Sequence, residues 1–328
     1  MKNKYIKKVL KFAVCLITVS FLITGCGSDK GVFSSYKTVI PSSDKQSKTD
    51  GVYSQDYLSD NVCVIPVKKQ SEPDPFMTAG ASLIIIDTSG KMIYSHNIYK
   101  KMYPASITKI VTALVTLKYA NLDDTVTVSY NASHIEEYGA KLCGFNEGDK
   151  IILKDLLYSF LIYSGNDAGV AIAEHISGSV EEFAKLMNKE MKDLGAAGTN
   201  FVNPHGLHDT NHYTSAYDLY LVFHELLKYD TFKDIINQPY YEAKFKDSAG
   251  EDKKLSFSST DKYLTGKAEI PEGVTVIGGK TGTTMMAGSN LILYSKDAQG
   301  NDYISIVMHA GSAGELYEQM SHLLDMEK

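Results

Sequence analysis

Ser106-Ile107-Thr108-Lys109 sets a hydroxyl and an amine three residues apart, which on a helix brings them onto one face and into contact. A serine hydroxyl is a weak nucleophile until a neighbouring base takes its proton, and a lysine stripped of water is such a base. The pattern alone is not specific in a lysine-rich chain, because it recurs at Ser34/Lys37, Ser42/Lys45 and Ser259/Lys262. A second polar cluster, Ser164-Gly165-Asn166, closes the apolar run Leu156 to Tyr163, and S-x-N also recurs, at Ser59, Ser95 and Ser129. Lys280-Thr281-Gly282 occurs once, after Gly278-Gly279 and before an apolar stretch. That setting fits an edge strand whose backbone approaches a ligand closely.

Order turns the three patterns into one signal. S-x-x-K, then S-x-N, then K-T-G is the signature of β-lactamases and penicillin-binding proteins, and the intervals here suit that fold. The flanking residues sharpen the likeness. Tyr103-Pro104-Ala105 before Ser106, Asp167-Ala168 after Asn166, Asn203-Pro204-His205-Gly206-Leu207, and His212-Tyr213-Thr214-Ser215-Ala216 with Asp218 resemble segments of the low-molecular-weight D-Ala-D-Ala carboxypeptidases, with coverage from 78 to 326. Two stretches depart from the family pattern: Met285-Met286 stands where the family is usually more polar, and Ser256-Phe257-Ser258-Ser259 replaces an Asn-rich segment.

The resemblance implies acyl transfer on peptidoglycan stem peptides without a cofactor or metal, with β-lactam antibiotics as covalent inhibitors. Ser106 attacks the carbonyl between two D-alanines and Lys109 is its base. Asn166 orients Lys109, and Ser164 relays a proton to the departing D-alanine. Backbone N–H groups of Ser106 and Thr283 form the oxyanion hole, and Lys280, Thr281, Gly282 and Thr283 line the site for the terminal carboxylate. An ammonium at Lys280 would also depress the pKa of Lys109. Asn203-Pro204-His205-Gly206 reads as a shaped turn rather than a catalytic histidine, since Pro and Gly dictate its backbone. Asp218 reads as a packing or capping residue.

Three rival readings share these residues. A D,D-endopeptidase cutting crosslinks differs only in the leaving group. A class A β-lactamase needs a deacylating glutamate in an E-x-x-L-N type loop, and none lies between Asn166 and Lys280. A non-catalytic lipoprotein that binds peptidoglycan would have no reason to keep Ser106, Lys109, Ser164, Asn166 and Lys280 together.

The elements that must hold these residues can be read from periodicity. Ser82 to Asp87 and Met92 to Ser95 form a hairpin on a buried sheet. Pro104 opens a helix running to Tyr119, Pro being suited to a first turn. Further helices fall at 153–163, 167–177, 180–194 and 214–229, strands at Asn290–Tyr294 and Tyr303–His309, and a last helix at 314–325. Strands at both ends around a helical middle predict an α+β domain, helices packed on one antiparallel sheet with a helical subdomain, of the β-lactamase and penicillin-binding-protein kind.

All 33 basic residues are lysine, so any carboxylate must be gripped without a guanidinium fork. The net charge of -6 hides an asymmetry: residues 1–25 hold five lysines and no acid, leaving the rest more acidic still. Nucleic acid is thereby excluded as a natural partner. The apolar run Val9 to Ile23 is too short to span a bilayer and reads as a secretory signal. Ile23-Thr24-Gly25-Cys26 resembles the bacterial lipobox, which implies lipidation of Cys26 and an extracytoplasmic protein anchored to the cell membrane. The expected division is a signal peptide at 1–25, a flexible polar linker at 26–75 and a catalytic domain at 76–328. Cys63 and Cys143 read as two unpaired thiols.

Overall fold

The computed structural model describes residues 70–328. The expected signal peptide, Cys26, Cys63 and most of the expected linker lie outside the described residues. Gln70 and Ser71 are tied onto the domain: the Gln70 amide oxygen accepts from Ile98 N–H at 3.2 Å, and Ser71 N–H donates to the Ser95 carbonyl at 3.1 Å.

Five strands, β1 (Ala81–Ile86), β2 (Lys91–His96), β7 (Thr275–Thr284), β8 (Gly288–Lys296) and β9 (Asp302–Ala310), form an antiparallel sheet in the order β2-β1-β9-β8-β7. Nearly every residue of β1, β8 and β9 is buried, so these strands read as continuous apolar runs rather than alternating ones. On one face the C-terminal helix α8 (Ala313–Asp325) sets Leu316, Met320, Leu323 and Leu324 against Ile84, Leu291, Leu293 and Val307. The other face meets α6 (Ala216–Leu226).

Between β2 and β7 lie α1 (Thr108–Tyr119), β3 (Thr125–Thr127), α2 (Tyr130–Ser133), β4 (Lys150–Ile152), α3 (Leu153–Tyr163), α4 (Asn166–Ser177), α5 (Val180–Asp193), α6, α7 (Asp230–Ile236), β5 (Tyr240–Lys246) and β6 (Asp252–Ser258). The α+β expectation holds, with one correction: the described residues form two sheets, the second an antiparallel β3-β4-β5-β6 ribbon. Its strands are short or lysine-rich and half-exposed, β5 alternating only weakly between buried and open positions. Aromatic contacts of Phe145 with Phe245 and Phe257, of Tyr158 with Tyr241 and of Tyr163 with Phe257 pack it against α3 and the loop before β4.

A second correction concerns the segment at Pro104. The chain forms a single 3-10 turn, Ala105–Ile107, and α1 begins only at Thr108. Ala105 has φ +48°, which no α-helix accommodates. Among the described residues no helix is long and apolar enough to cross a membrane.

Candidate active site

Four pieces of chain meet where the edge strand β7 passes the 3-10 turn. Gly282 makes the approach possible: a Cβ there would stand 2.8 Å from Pro104 O and Ile107 N and 2.9 Å from Ser106 N. Only glycine lets the strand lie this close to the turn. The turn at 203–206 is the third piece and the α3–α4 junction the fourth. Ser164 terminates α3 in the left-handed conformation, φ +73°, and Asn166 is the first residue of α4. Between them Gly165 is required because a side chain would run into the Cys143 sulfur.

Lys109 is fully buried, and its Nζ has three neighbours: Ser106 Oγ at 3.1 Å, Asn166 Oδ1 at 2.7 Å and the His205 carbonyl at 2.7 Å. A neutral amine has two hydrogens and one lone pair. The amide and peptide carbonyls can only accept, so they take the two hydrogens of a neutral amine and leave its lone pair to face Ser106 Oγ. Burial pushes Lys109 well below its usual range, and the Lys280 ammonium acts in the same direction.

Lys280 is 1% exposed, donates to Ser164 Oγ at 3.1 Å and to Thr281 O at 2.9 Å, and is brought down to about 7, by burial first and by Lys141 second. It sits behind the wall of the cleft. On the wall itself, around a cavity of 360 Å³, are Ser106, Ser164, Asn166, Thr281, Gly282 and Thr283. The charged wall residues are Lys141 and Lys262, with no carboxylate. The Thr281 hydroxyl donates to Thr260 Oγ1 at 2.6 Å.

The structure thus brings together Ser106, Lys109, Ser164, Asn166, Lys280, Thr281, Gly282 and Thr283. It also shows roles that residue types did not reveal. Asn203-Pro204-His205-Gly206 is a turn, its Asn203 Oδ1 accepting from Gly206 N–H at 2.7 Å, and it serves the site through a backbone carbonyl, that of His205. Asp167 is buried and accepts from the N–H groups of Cys143 and Gly144, each at 2.8 Å, pinning the loop that carries Lys141. Cys143 is a free, buried thiol whose pKa burial pushes well up. Asp218 is buried in the first turn of α6, accepting from Thr199 Oγ1 at 2.7 Å, as a packing residue does. Met285 and Met286 are exposed, at 93% and 51%, in the β7–β8 turn beyond the cleft.

This arrangement has known counterparts. The family model described as D-alanyl-D-alanine carboxypeptidase matches residues 67–312, and the chain belongs to that family. It is 35% identical over 253 residues to a D-alanyl-D-alanine carboxypeptidase of Bacillus subtilis, covering 75% of this chain and 61% of that protein. Penicillin binding protein 5 from Haemophilus influenzae superposes with a TM-score of 0.65 at 28% identity, covering 77% of this chain and 71% of that one. A DD-transpeptidase of Streptomyces superposes with a TM-score of 0.72 at 24% identity, over 78% of this chain and 98% of that one, a likeness of fold. The fold is therefore that of the penicillin-binding-protein transpeptidases. The chain spans about three-fifths of the length of the curated relatives it matches.

Proposed function

We propose that this chain is a serine-type D-Ala-D-Ala carboxypeptidase that removes the terminal D-alanine from peptidoglycan stem peptides through an acyl-enzyme on Ser106. The single observation that carries this reading is the buried Lys109 amine, whose two hydrogens are taken by Asn166 and the His205 carbonyl while its lone pair faces Ser106. The Ser106 proton passes to Lys109 as Oγ bonds to the penultimate D-alanine carbonyl carbon. The resulting oxyanion is held by the backbone N–H groups of Ser106 and Thr283. Ser164 accepts a hydrogen bond from Lys280, so its own hydrogen is free to pass to the departing amine as the C–N bond breaks. Ser164 is restored by the proton that Lys109 took from Ser106, which leaves Lys109 neutral to take a proton from water. The water attacks the ester carbonyl, and Lys109 returns that proton to Ser106 Oγ as the ester bond breaks.

A wall charged only by lysines suits a substrate with a free terminal carboxylate. Thr283, and Thr281 once its hydroxyl turns from Thr260 to the ligand, supply the direct hydrogen bonds, while Lys280 adds positive charge from behind. β-Lactam antibiotics acylate Ser106 in the same geometry. The protein is extracytoplasmic, held to the membrane by a lipid on Cys26, with the signal peptide at 1–25, a polar linker at 26–75 and the catalytic domain at 76–328. A peptide ending in D-Ala-D-Ala and the same peptide as its C-terminal amide separate this reading from an endopeptidase. The free acid should be cleaved at least about tenfold faster; equal rates would place the carboxylate site elsewhere and favour the endopeptidase.

A further inference from the structure

The residue before the nucleophile is held in a conformation that its own side chain disfavours. Ala105 has φ +48°, a region glycine enters freely and alanine does not. Such a residue stays there only when its surroundings hold it. Its carbonyl accepts from Thr108 Oγ1 at 2.8 Å, and that same hydroxyl lies 2.7 Å from His212 Nε2. The far end sets the direction of the chain of bonds, because Val202 N–H donates to His212 Nδ1 at 3.2 Å. A neutral ring that accepts at Nδ1 carries its hydrogen on Nε2. Nε2–H therefore donates to Thr108, and Thr108 gives its own hydrogen to Ala105 O. Burial brings His212 down to about 3, so the ring is neutral at ordinary pH. Phe201 packs edge-on against it at 5.1 Å. Gly206 closes on the same carbonyl, where any Cβ would overlap Ala105 O and stand 2.8 Å from Thr108 Oγ1.

We propose that His212 is a positioning residue for acylation: through Thr108 it holds the Ala105 carbonyl, and with it the Ser106 hydroxyl and backbone N–H, in the geometry that attack requires. The proposal rests on the reading of Ser106 as nucleophile. His212 is not on the cleft wall and makes no hydrogen bond to Lys109, so it acts through the backbone of the turn.

The test is the rate of labelling by a fluorescent penicillin, with thermal melting to verify the fold of each variant. Labelling of the wild type and its loss in Ser106→Ala examine the nucleophile separately. Thr108→Val is isosteric but lacks the hydroxyl, and it should lower the second-order labelling rate constant by about tenfold or more. His212→Ala should do the same, and the pair together should cost no more than either alone, because both break one chain of bonds. Thr108→Ser keeps the hydroxyl and should keep the rate. Adding Ala105→Gly to Thr108→Val removes the side chain that resists the left-handed conformation, so labelling should recover by several-fold; a packing role for His212 predicts no such recovery. If His212→Ala does not fold, Thr108→Val carries the test. A folded Thr108→Val protein that labels at the wild-type rate, or one that Ala105→Gly does not accelerate, overturns the proposal. A wild-type chain that takes no label removes the assignment of Ser106 and the proposal with it.

Discussion

Lys109 and Lys280 share one electrostatic economy. Each is buried, each is held below its usual pKa, and Lys280 contributes to the depression of Lys109. The proposed reaction needs Lys109 neutral, so kcat/KM should rise with pH through the Lys109 transition. It also needs Lys280 charged to favour a carboxylate, so the free enzyme loses efficiency as pH rises past about 7. Lys280→Met removes the positive neighbour, lets the Lys109 pKa rise, and should move the acidic limb of the profile to higher pH while lowering kcat/KM. The same residue costs stability. Between about 7 and its unfolded value near 10.4 the unfolded chain binds a proton at Lys280 that the folded chain does not, so this group makes stability rise with pH across that window. At pH 7 Lys280→Met should therefore stabilise the fold, by on the order of 1–4 kcal/mol, read from denaturant melts of both proteins. A variant less stable than the wild type at pH 7 would contradict the burial account.

At the scale of elements, the site depends on one close approach, β7 against the 3-10 turn. Gly282→Ala forces its new Cβ onto three backbone atoms at 2.8 to 2.9 Å, so strand or turn must shift. Steady-state assay should find kcat/KM lowered by about a hundredfold, and melting should find about 1–3 kcal/mol of lost stability. Near-normal kinetics would mean that the gap can widen without consequence. How much of this was legible follows from burial. β1, β8 and β9 were readable because both faces of their sheet are covered, and α3 was readable to its ends because it is an apolar helix leading into Ser164. The β3-β4-β5-β6 ribbon was not, since its lysines blur the alternation. Residue types pointed to Ser106, Lys109, Ser164, Asn166 and Lys280. The His205 carbonyl and the left-handed Ala105 left no mark in the sequence, because a backbone role places no demand on the side chain that a reader could recognise.

At the scale of the whole molecule, the described domain and the proposed lipid anchor at Cys26 make separable claims. Cys26→Ala should abolish incorporation of a fatty-acid analogue and release the protein from the membrane fraction without changing the activity of the catalytic domain. Incorporation that persists in the variant would place the lipid elsewhere or remove it from the account. The central claim is tested most directly by incubating the chain with a stem pentapeptide and measuring free D-alanine. The wild type should release one D-alanine per peptide over many turnovers, leaving the tetrapeptide, while folded Ser106→Ala should release none. D-alanine release by Ser106→Ala at the wild-type rate, or an intact pentapeptide after incubation with the wild type, would contradict the account.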